Sequence, residues 1–418
     1  MKRRRFITGV SMIAGTAAVT GFTSSSHKKE NNTGNMKLPD VQLITVEERM
    51  QRIEKAQKLM AAQKMGALLL DAGTSMEYFT GIRWGQSERP MVVIIPVKGE
   101  IVYVCPAFEE DRLRENIKTG NKVYIWEEDE NPYKKMIEAL TDAGIRSGDI
   151  AVEERVRFFI VDGMKKASGK FNFRSGDPVS AACRLIKSPA EIALMQAAND
   201  ATASAITAAI KEMQEGMSPM DVGTIVAKQH RALGAMHDFA LVLFGAASAL
   251  PHGSSKPQVL TRGDIVLMDC GCRVGGYSAD ITRTVVFGAE PTKRQQGIWD
   301  IEKKAQAAGF AAARSGAACE SIDAASRKVI VDAGFGPGYK LPGLPHRTGH
   351  GIGMDGHEWG NIVKGNKQLL EPGMCFSIEP TIAIPGEFGV RLEDCVYMTE
   401  SGPKWFSKTA AAIDLPFA

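Results

Sequence analysis

From Thr45 onward the chain alternates between short apolar runs and longer stretches whose apolar residues recur at helical spacing. Thr45-Val46-Glu47-Glu48 has the order of a capping box and predicts a helix running to about Gln63. Apolar runs at 67–70, 91–96 and 101–105 predict strands, and the polar stretches at about 107–117 and 131–144 predict helices among them. That alternation describes a compact α/β domain over residues 41–183.

The pattern then changes. Ser188-Pro189-Ala190-Glu191 places a capping serine, a proline at the first helical position and a glutamate at the third, and it opens a long Ala-rich helix. Ser218-Pro219-Met220-Asp221 repeats that grammar for a second helix. Strand-like runs follow at about 265–272 and 277–287. The same order recurs, with helices at about 292–314 and 320–333 and strand runs at about 374–384 and 389–398. Helix, helix, strand, strand, twice over, predicts a second domain, 184–418, built from two related halves.

Composition adds an address. The formal net charge of +3 falls to −1 once the four basic residues of the first 21 are set aside, so the chain carries no nucleic-acid footprint. Those basic residues, Lys2 to Arg5, precede a small-residue apolar stretch at 9–22 and a polar exit, the order of an export signal over residues 1–26. The Arg3-Arg4-x-Phe6-Ile7 pattern resembles the twin-arginine class, which implies a periplasmic destination with the membrane met only in transit. A disordered spacer is expected at 27–40. Seven cysteines without C-x-x-C spacing give no disulfide framework.

The chemistry lies in the second domain. A hairpin turning between Val274 and Gly275 would put Asp269 directly opposite Asp280, their Cβ atoms about 5 Å apart. A hairpin centred on Gly386 would do the same for Glu379 and Glu393. A single opposed pair is ordinarily a solvated strand face. Two pairs at mirrored positions call for a cation between them. Three of the seven histidines, His346, His350 and His357, fall within a glycine-rich segment whose backbone can pass close to a ligand or metal. Arg391, two residues before Glu393, shares its strand face and is placed to support a ligand.

These segments resemble the pita-bread metallopeptidases of the Xaa-Pro aminopeptidase/prolidase family. The likeness rests on Met268-Asp269-Cys270-Gly271, on 276–284 around Asp280, on His346-Arg347-Thr348-Gly349-His350-Gly351-Ile352-Gly353, on Ser377-Ile378-Glu379-Pro380, on 390–394, and on Pro251-His252-Gly253. It covers about residues 45–415. Arg184 to Glu191 resembles the stretch where the N-terminal domain hands over to the catalytic one. Trp359-Gly360-Asn361 departs from the family pattern and leaves the outer substrate pocket open. The resemblance implies an α/β (α+β) chain with a creatinase-like N-terminal domain and a pita-bread catalytic domain of two pseudo-symmetric halves. It implies two divalent metals, Asp280 and Glu393 reaching both, Asp269 completing one shell, and His350 with Glu379 completing the other. An oxygen-rich set of this kind suits Mn²⁺, with Co²⁺ or Zn²⁺ able to occupy it. The expected reaction is hydrolysis of an Xaa-Pro bond, in a dipeptide or at a peptide N-terminus, by a metal-bridged hydroxide. Glu379 would shuttle the proton, His252 and His357 would contact the scissile group, and His346 would line the proline side. A homodimer is a frequent family state. The competing readings are a relative acting on a small non-peptide substrate, as an amidinohydrolase or lyase, and a catalytically silent peptide-binding module.

Overall fold

The computed structural model describes residues 41–417; the expected export signal at 1–26 and the expected spacer at 27–40 lie outside the described residues. None of the described helices is long and apolar enough to cross a membrane.

The first helix, α1 (Val46–Ala62), starts where the capping sequence predicts, with Thr45 Oγ1 accepting the Glu48 amide at 3.2 Å. It is followed by β1 (Met65–Asp71), α2 (Thr74–Thr80), β2 (Val92–Pro96), β3 (Val102–Pro106), α3 (Glu110–Asn116), β4 (Lys122–Trp126), α4 (Pro132–Asp142), β5 (Gly148–Val152), α5 (Phe158–Ala167), β6 (Phe171–Ser175) and α6 (Asp177–Leu185). The strands form one mixed sheet in the order β4-β3-β2-β1-β5-β6. Strand β1 shows why its sequence is a continuous apolar run. Leu68 and Leu70 enter one core, Ala67 and Leu69 the other, so both faces are covered. The boundary at 183/184 read from the sequence falls inside α6, which carries the chain toward the second domain.

The second domain opens with α7 (Pro189–Glu212) and α8 (Pro219–Ala232), and both predicted capping boxes are formed. Strands β7 (Met236–Phe244), β8 (Ile265–Val274), β9 (Tyr277–Ser278) and β10 (Ile281–Val286) follow. The second half repeats the plan with α9 (Lys293–Ala312) and α10 (Cys319–Asp332), then β11 (Gly349–Gly351), β12 (Glu358–Ile362), β13 (Cys375–Ile378), β14 (Thr381–Ile384), β15 (Phe388–Arg391), β16 (Asp394–Thr399) and β17 (Gly402–Trp405). Each half therefore holds more strands than the two that the apolar runs predict. The additions are β7 in the first half, and β11, β12 and β17 in the second.

The long hairpin strands are also interrupted. The run at 277–287 breaks at Ala279–Asp280, the run at 374–384 at Glu379–Pro380, and the run at 389–398 at Leu392–Glu393. Three of the four hairpin acids thus sit at breaks, where the backbone bends and a side chain can be aimed away from the regular pleat.

The two domains share a core. Tyr277, Ile352, Met354, Cys375, Cys395 and Phe406 pack in the same cluster as Met60, Leu68 and Phe79. Inside it the Tyr277 hydroxyl donates to Glu191 Oε1 at 2.7 Å and accepts from Arg52 Nη2 at 3.1 Å. All seven cysteines are free and buried.

Candidate metal centre

Strands β8 and β10 pair with Asp269 opposite Thr282 and Cys270 opposite Ile281. Asp280 is therefore not directly across from Asp269, and that expectation is corrected. The turn is centred one residue later than expected: Val274 pairs with Tyr277, leaving Gly275 and Gly276 alone in the loop, with φ of 57° and 91°. Only glycine adopts that pair of positive angles freely, so the tight turn forms there and shifts the register by two. A shift of two keeps side chains on the same face. Asp269 and Asp280 remain neighbours, diagonal instead of opposed.

The second hairpin keeps the predicted register. Thr381 pairs with Arg391 and Ile378 with Asp394, so Glu379 and Glu393 face each other across the break. The two hairpins meet at one antiparallel bridge between Thr282 and Glu393, and the Thr282 hydroxyl donates to Glu393 Oε2 at 2.7 Å.

His350 arrives from β11. Its Nδ1 lies 3.1 Å from the Gly351 carbonyl, which can only accept, so Nδ1 carries the proton and Nε2 presents its lone pair. Nε2 stands 3.3 Å from Glu379 Oε1, 3.7 Å from Asp280 Oδ2 and 4.0 Å from Glu393 Oε1. Two ligand groups result, each with its donor atoms within 4.8 Å of one another: Asp269, Asp280 and Glu393, and His350, Glu379 and Glu393. Glu393 belongs to both. A third group joins Asp280 and His350 to His357.

Around these acids lies a cavity of about 700 Å³ lined by all nine residues singled out in the sequence: Asp269, Asp280, His350, Glu379, Glu393, His252, His346, His357 and Arg391. Strands, strand breaks and loops thus deliver to one place side chains that run from His252 to Glu393 in the sequence.

Two family descriptions match the chain: a creatinase/prolidase N-terminal domain over residues 52–186 and metallopeptidase family M24 over residues 193–400. An Xaa-Pro dipeptidase of Lactobacillus delbrueckii is 31% identical over 365 residues, covering 86% of this chain and 97% of that protein. The chain belongs to metallopeptidase family M24. Among solved structures, a prolidase from Thermococcus sibiricus superposes with a TM-score of 0.78 at 30% identity, covering 86% of this chain and 96% of that one. A dipeptidase from Mycobacterium ulcerans gives 0.81 at 28%, with coverage of 89% and 98%. This M24 metallopeptidase therefore has the creatinase-like domain followed by the pita-bread domain that its motifs imply.

The residues fit divalent metal. Asp269 Oδ1, Asp280 Oδ1 and Glu393 Oε1 are buried without a hydrogen-bond partner. Burial raises the Asp280 carboxyl well above the usual carboxylate range, and the neighbouring Glu393 and Asp269 raise it further. Burial also lifts Glu393 well above its ordinary value and Glu379 to about 7. Burial lowers His350 well below the ordinary histidine range, keeping the imidazole neutral as a ligand must be. One guanidinium, Arg391, cannot balance four carboxylates. A cation among them would supply both the charge and the missing partners.

Arg391 has the supporting place its spacing suggests: it is buried, pairs with Asp269, and donates from Nε to Thr282 Oγ1 at 3.0 Å. His346 donates from Nδ1 to the Arg347 carbonyl at 2.7 Å and accepts from Thr381 Oγ1 at 3.0 Å; burial lowers it to about 4. The His357 ring lies 3.9 Å from that of His350, centroid to centroid. Its Nδ1 accepts from Arg347 Nη2 at 3.1 Å, which leaves Nε2–H as a donor. His252 follows a 3-10 turn (Gly245–Ala249) and reaches the cavity mouth on an exposed loop.

The glycines of the histidine segment serve a different purpose from the one expected. A Cβ on Gly349 would stand 2.0 Å from the Ser377 carbonyl oxygen, and one on Gly351 would stand 1.7 Å from that of Trp359. The close approach is to the flanking strands β13 and β12, not to a ligand. Sequence reasoning passed over Thr282, although it shares a strand face with Asp280 two residues earlier, and over Arg347. It also missed Asp323 and Arg327 of α10. Asp323 Oδ1 accepts from the Thr348 amide at 3.2 Å and its hydroxyl at 2.7 Å, and Arg327 donates to the His346 carbonyl at 2.8 Å. No motif marks these two; only the fold brings α10 beneath the segment.

Proposed function

We propose that this M24 metallopeptidase is a dinuclear Xaa-Pro dipeptidase, loaded with Mn²⁺ and acting on the free dipeptide. The observation that carries the dinuclear reading is the pair of ligand groups that share Glu393. Two bound divalent cations supply activation of water and polarisation of the scissile carbonyl. The chain's own groups do the rest. Glu379, whose carboxyl burial lifts to about 7, suits a group that takes up a proton and passes it on. His357 offers its Nε2–H to the oxygen on which charge develops, and His252 faces the same space from the mouth. The tertiary amide of an Xaa-Pro bond has no N–H, so a site that asks for no amide donor is suited to it.

The dipeptide preference rests on Arg347. Three guanidiniums line the cavity. Arg391 pairs with Asp269, and Arg273 with Asp238 at 2.9 Å. Arg347 instead donates to neutral acceptors, Asn361 Oδ1 at 2.7 Å and His357 Nδ1 at 3.1 Å. Asn361, the unusual residue of the Trp359-Gly360-Asn361 segment, thus holds a cation whose remaining donors are open to an anion. In an Xaa-Pro dipeptide the terminal carboxylate is two bonds from the scissile nitrogen, close to the atom that His357 serves. A longer substrate has an amide there.

The test compares Ala-Pro with Ala-Pro-amide, in Mn²⁺ and after chelation. Hydrolysis of the free dipeptide should exceed that of the amide and stop on chelation. Arg347→Met should lower kcat/KM for the dipeptide by about 10- to 100-fold, the range expected for a hydrogen bond to a charged group, and lower it less for the amide, which loses only the support that Arg347 gives to His357. Equal rates on both substrates in the unaltered enzyme would overturn the dipeptide reading.

A further inference from the structure

His357 is flanked by two acids that face away from the metal cavity, Asp355 and Glu358, both buried. They do not serve the ligands. Arg184, at the end of α6, donates from Nη2 to Asp355 Oδ2 at 2.7 Å and to Glu358 Oε1 at 2.5 Å. Lys187 Nζ donates to Glu358 Oε2 at 2.9 Å. The Arg184 and Lys187 side chains are 2% and 1% exposed, so the cluster is a buried double ion pair without solvent screening. Burial opposes the charge on Glu358, yet Lys187 and Arg184 outweigh it and hold the carboxyl at about 2.

The cluster also closes the loop that carries the histidine. Glu358 Oε1 accepts the amides of Met354 at 2.9 Å and Asp355 at 3.1 Å, drawing 354–358 into a compact loop that includes His357. Further anchors come from the N-terminal domain. Thr74 Oγ1 and Arg155 Nη1 both donate to Asp355 Oδ1, at 2.7 Å and 3.1 Å, and Arg184 donates to Ser75 Oγ at 3.1 Å.

Burying two ion pairs is costly, and well-packed apolar residues often serve stability as well. What apolar packing cannot do is fix a loop's orientation through bonds of set direction. We infer that Arg184 and Lys187, at the junction of the domains, are positioning residues: through Asp355 and Glu358 they hold His357 over His350, and the bonds of this cluster to Thr74, Ser75 and Arg155 make the N-terminal domain part of the catalytic apparatus. This rests on the peptidase reading of the metal site.

The experiment uses the Mn²⁺-loaded enzyme and Ala-Pro. Arg184→Gln should lower kcat by about 10²-fold, the order expected for a misplacement near 1 Å, while KM and bound Mn²⁺ stay at the wild-type level. Arg184→Lys keeps the charge without the fork and should recover part of the loss. Unchanged kcat in Arg184→Gln would overturn the proposal by leaving the cluster a stabilising role alone. Joint loss of metal and kcat would overturn it too, by assigning the cluster to the ligands. If Arg184→Gln does not fold, Thr74→Val removes one neutral bond to Asp355 and should still lower kcat; an unchanged kcat there counts against the proposal. Carboethoxylation of His357 by diethyl pyrocarbonate, followed by mass spectrometry, needs no substrate. Faster modification in the variants supports the proposal, and an unaltered rate overturns it. An inactive wild type would defeat the dipeptidase reading alone, and the His357 labelling would still decide this one.

Discussion

The two hairpins that supply the acids solve one problem in two ways. In the first, the Gly275-Gly276 turn sets Asp269 across from Thr282 and leaves Asp280 on the diagonal. In the second, Glu379 and Glu393 lie opposite each other at a double break in the strands. A metal site needs its acids on one face and within reach, and a register shift of two residues satisfies that as well as none. The difference lies in what else each acid touches. Asp269 is tied to Arg391, whereas Glu393 has an oxygen, Oε1, without a hydrogen-bond partner and is the residue that stands in both ligand groups.

That contrast ranks the acids. Glu393→Gln removes the one ligand common to both groups. Activity on Ala-Pro should fall by at least about 10³-fold, the several kcal/mol that a correctly held cation supplies to the transition state. Metal analysis of the purified variant should show loss of more than one ion per chain. Retention of two ions would break the claim that the second hairpin's opposed pair is the centre of the site.

Asp269→Asn tests the first hairpin. If its acids merely repelled one another, the metal-free variant would be more stable than wild type. The Arg391 pair reverses that expectation. Removing the carboxylate leaves a buried guanidinium with only Thr282 and a Glu393 oxygen at 3.9 Å, and the metal-free protein should lose about 2–3 kcal/mol, below the full cost of breaking a buried pair. One ion should be weakened and the other retained. Chemical denaturation in chelator reads the first effect and metal titration the second. A metal-free Asp269→Asn as stable as wild type would show that Arg391 is not anchored by Asp269.

Thr282→Val probes the place where the hairpins touch. The hydroxyl donates to Glu393 and accepts from Arg391, so its loss loosens a ligand and its supporting cation together. Metal affinity or activity should fall by about 10- to 100-fold, the usual cost of losing a partner behind a ligand, with the fold intact. An unaltered Mn²⁺ affinity would mean that the bridge to β10 contributes nothing to holding Glu393.

The same contrast shows what the sequence could and could not tell. Element order, the capping boxes at Ser188 and Ser218 and the face shared by each acid pair were legible, because helix grammar and strand alternation are local. The register of the first hairpin was not. It hung on whether the turn used two residues or four, and a Gly-Gly pair inside Arg273-Val274-Gly275-Gly276 allows both until the strands are laid side by side. The strand breaks at Asp280, Glu379 and Glu393 were hidden for a related reason: the residues around them are as apolar as those of an unbroken strand. Arg184, Asp323 and Arg327 act on the histidine segment from far along the chain, and only packing could reveal them.

The smallest effect on activity concerns a carboxyl that only the second hairpin has behind it. Glu302, on α9, is fully buried with neither oxygen hydrogen-bonded to protein, on the side of the Leu392 backbone and near Arg391. Burial raises its pKa well above the ordinary value, against smaller opposing effects of the Leu392 amide and Arg391. For an acid raised in the folded state, the favourable contribution is complete below the unfolded value. It is lost as pH climbs from there through the folded value, because the unfolded chain releases a proton that the folded one keeps. The loss runs at about 1.4 kcal/mol per pH unit over that window. Glu302→Gln keeps the shape and stays neutral at every pH. It should match wild type near pH 4 and become progressively more stable than wild type toward neutrality, with activity on Ala-Pro little changed. Denaturant midpoints at pH 4, 6 and 8 measure this. Parallel curves for the two proteins would show that Glu302 is charged in the fold, held by Arg391, and that the second hairpin carries its acids on both sides after all.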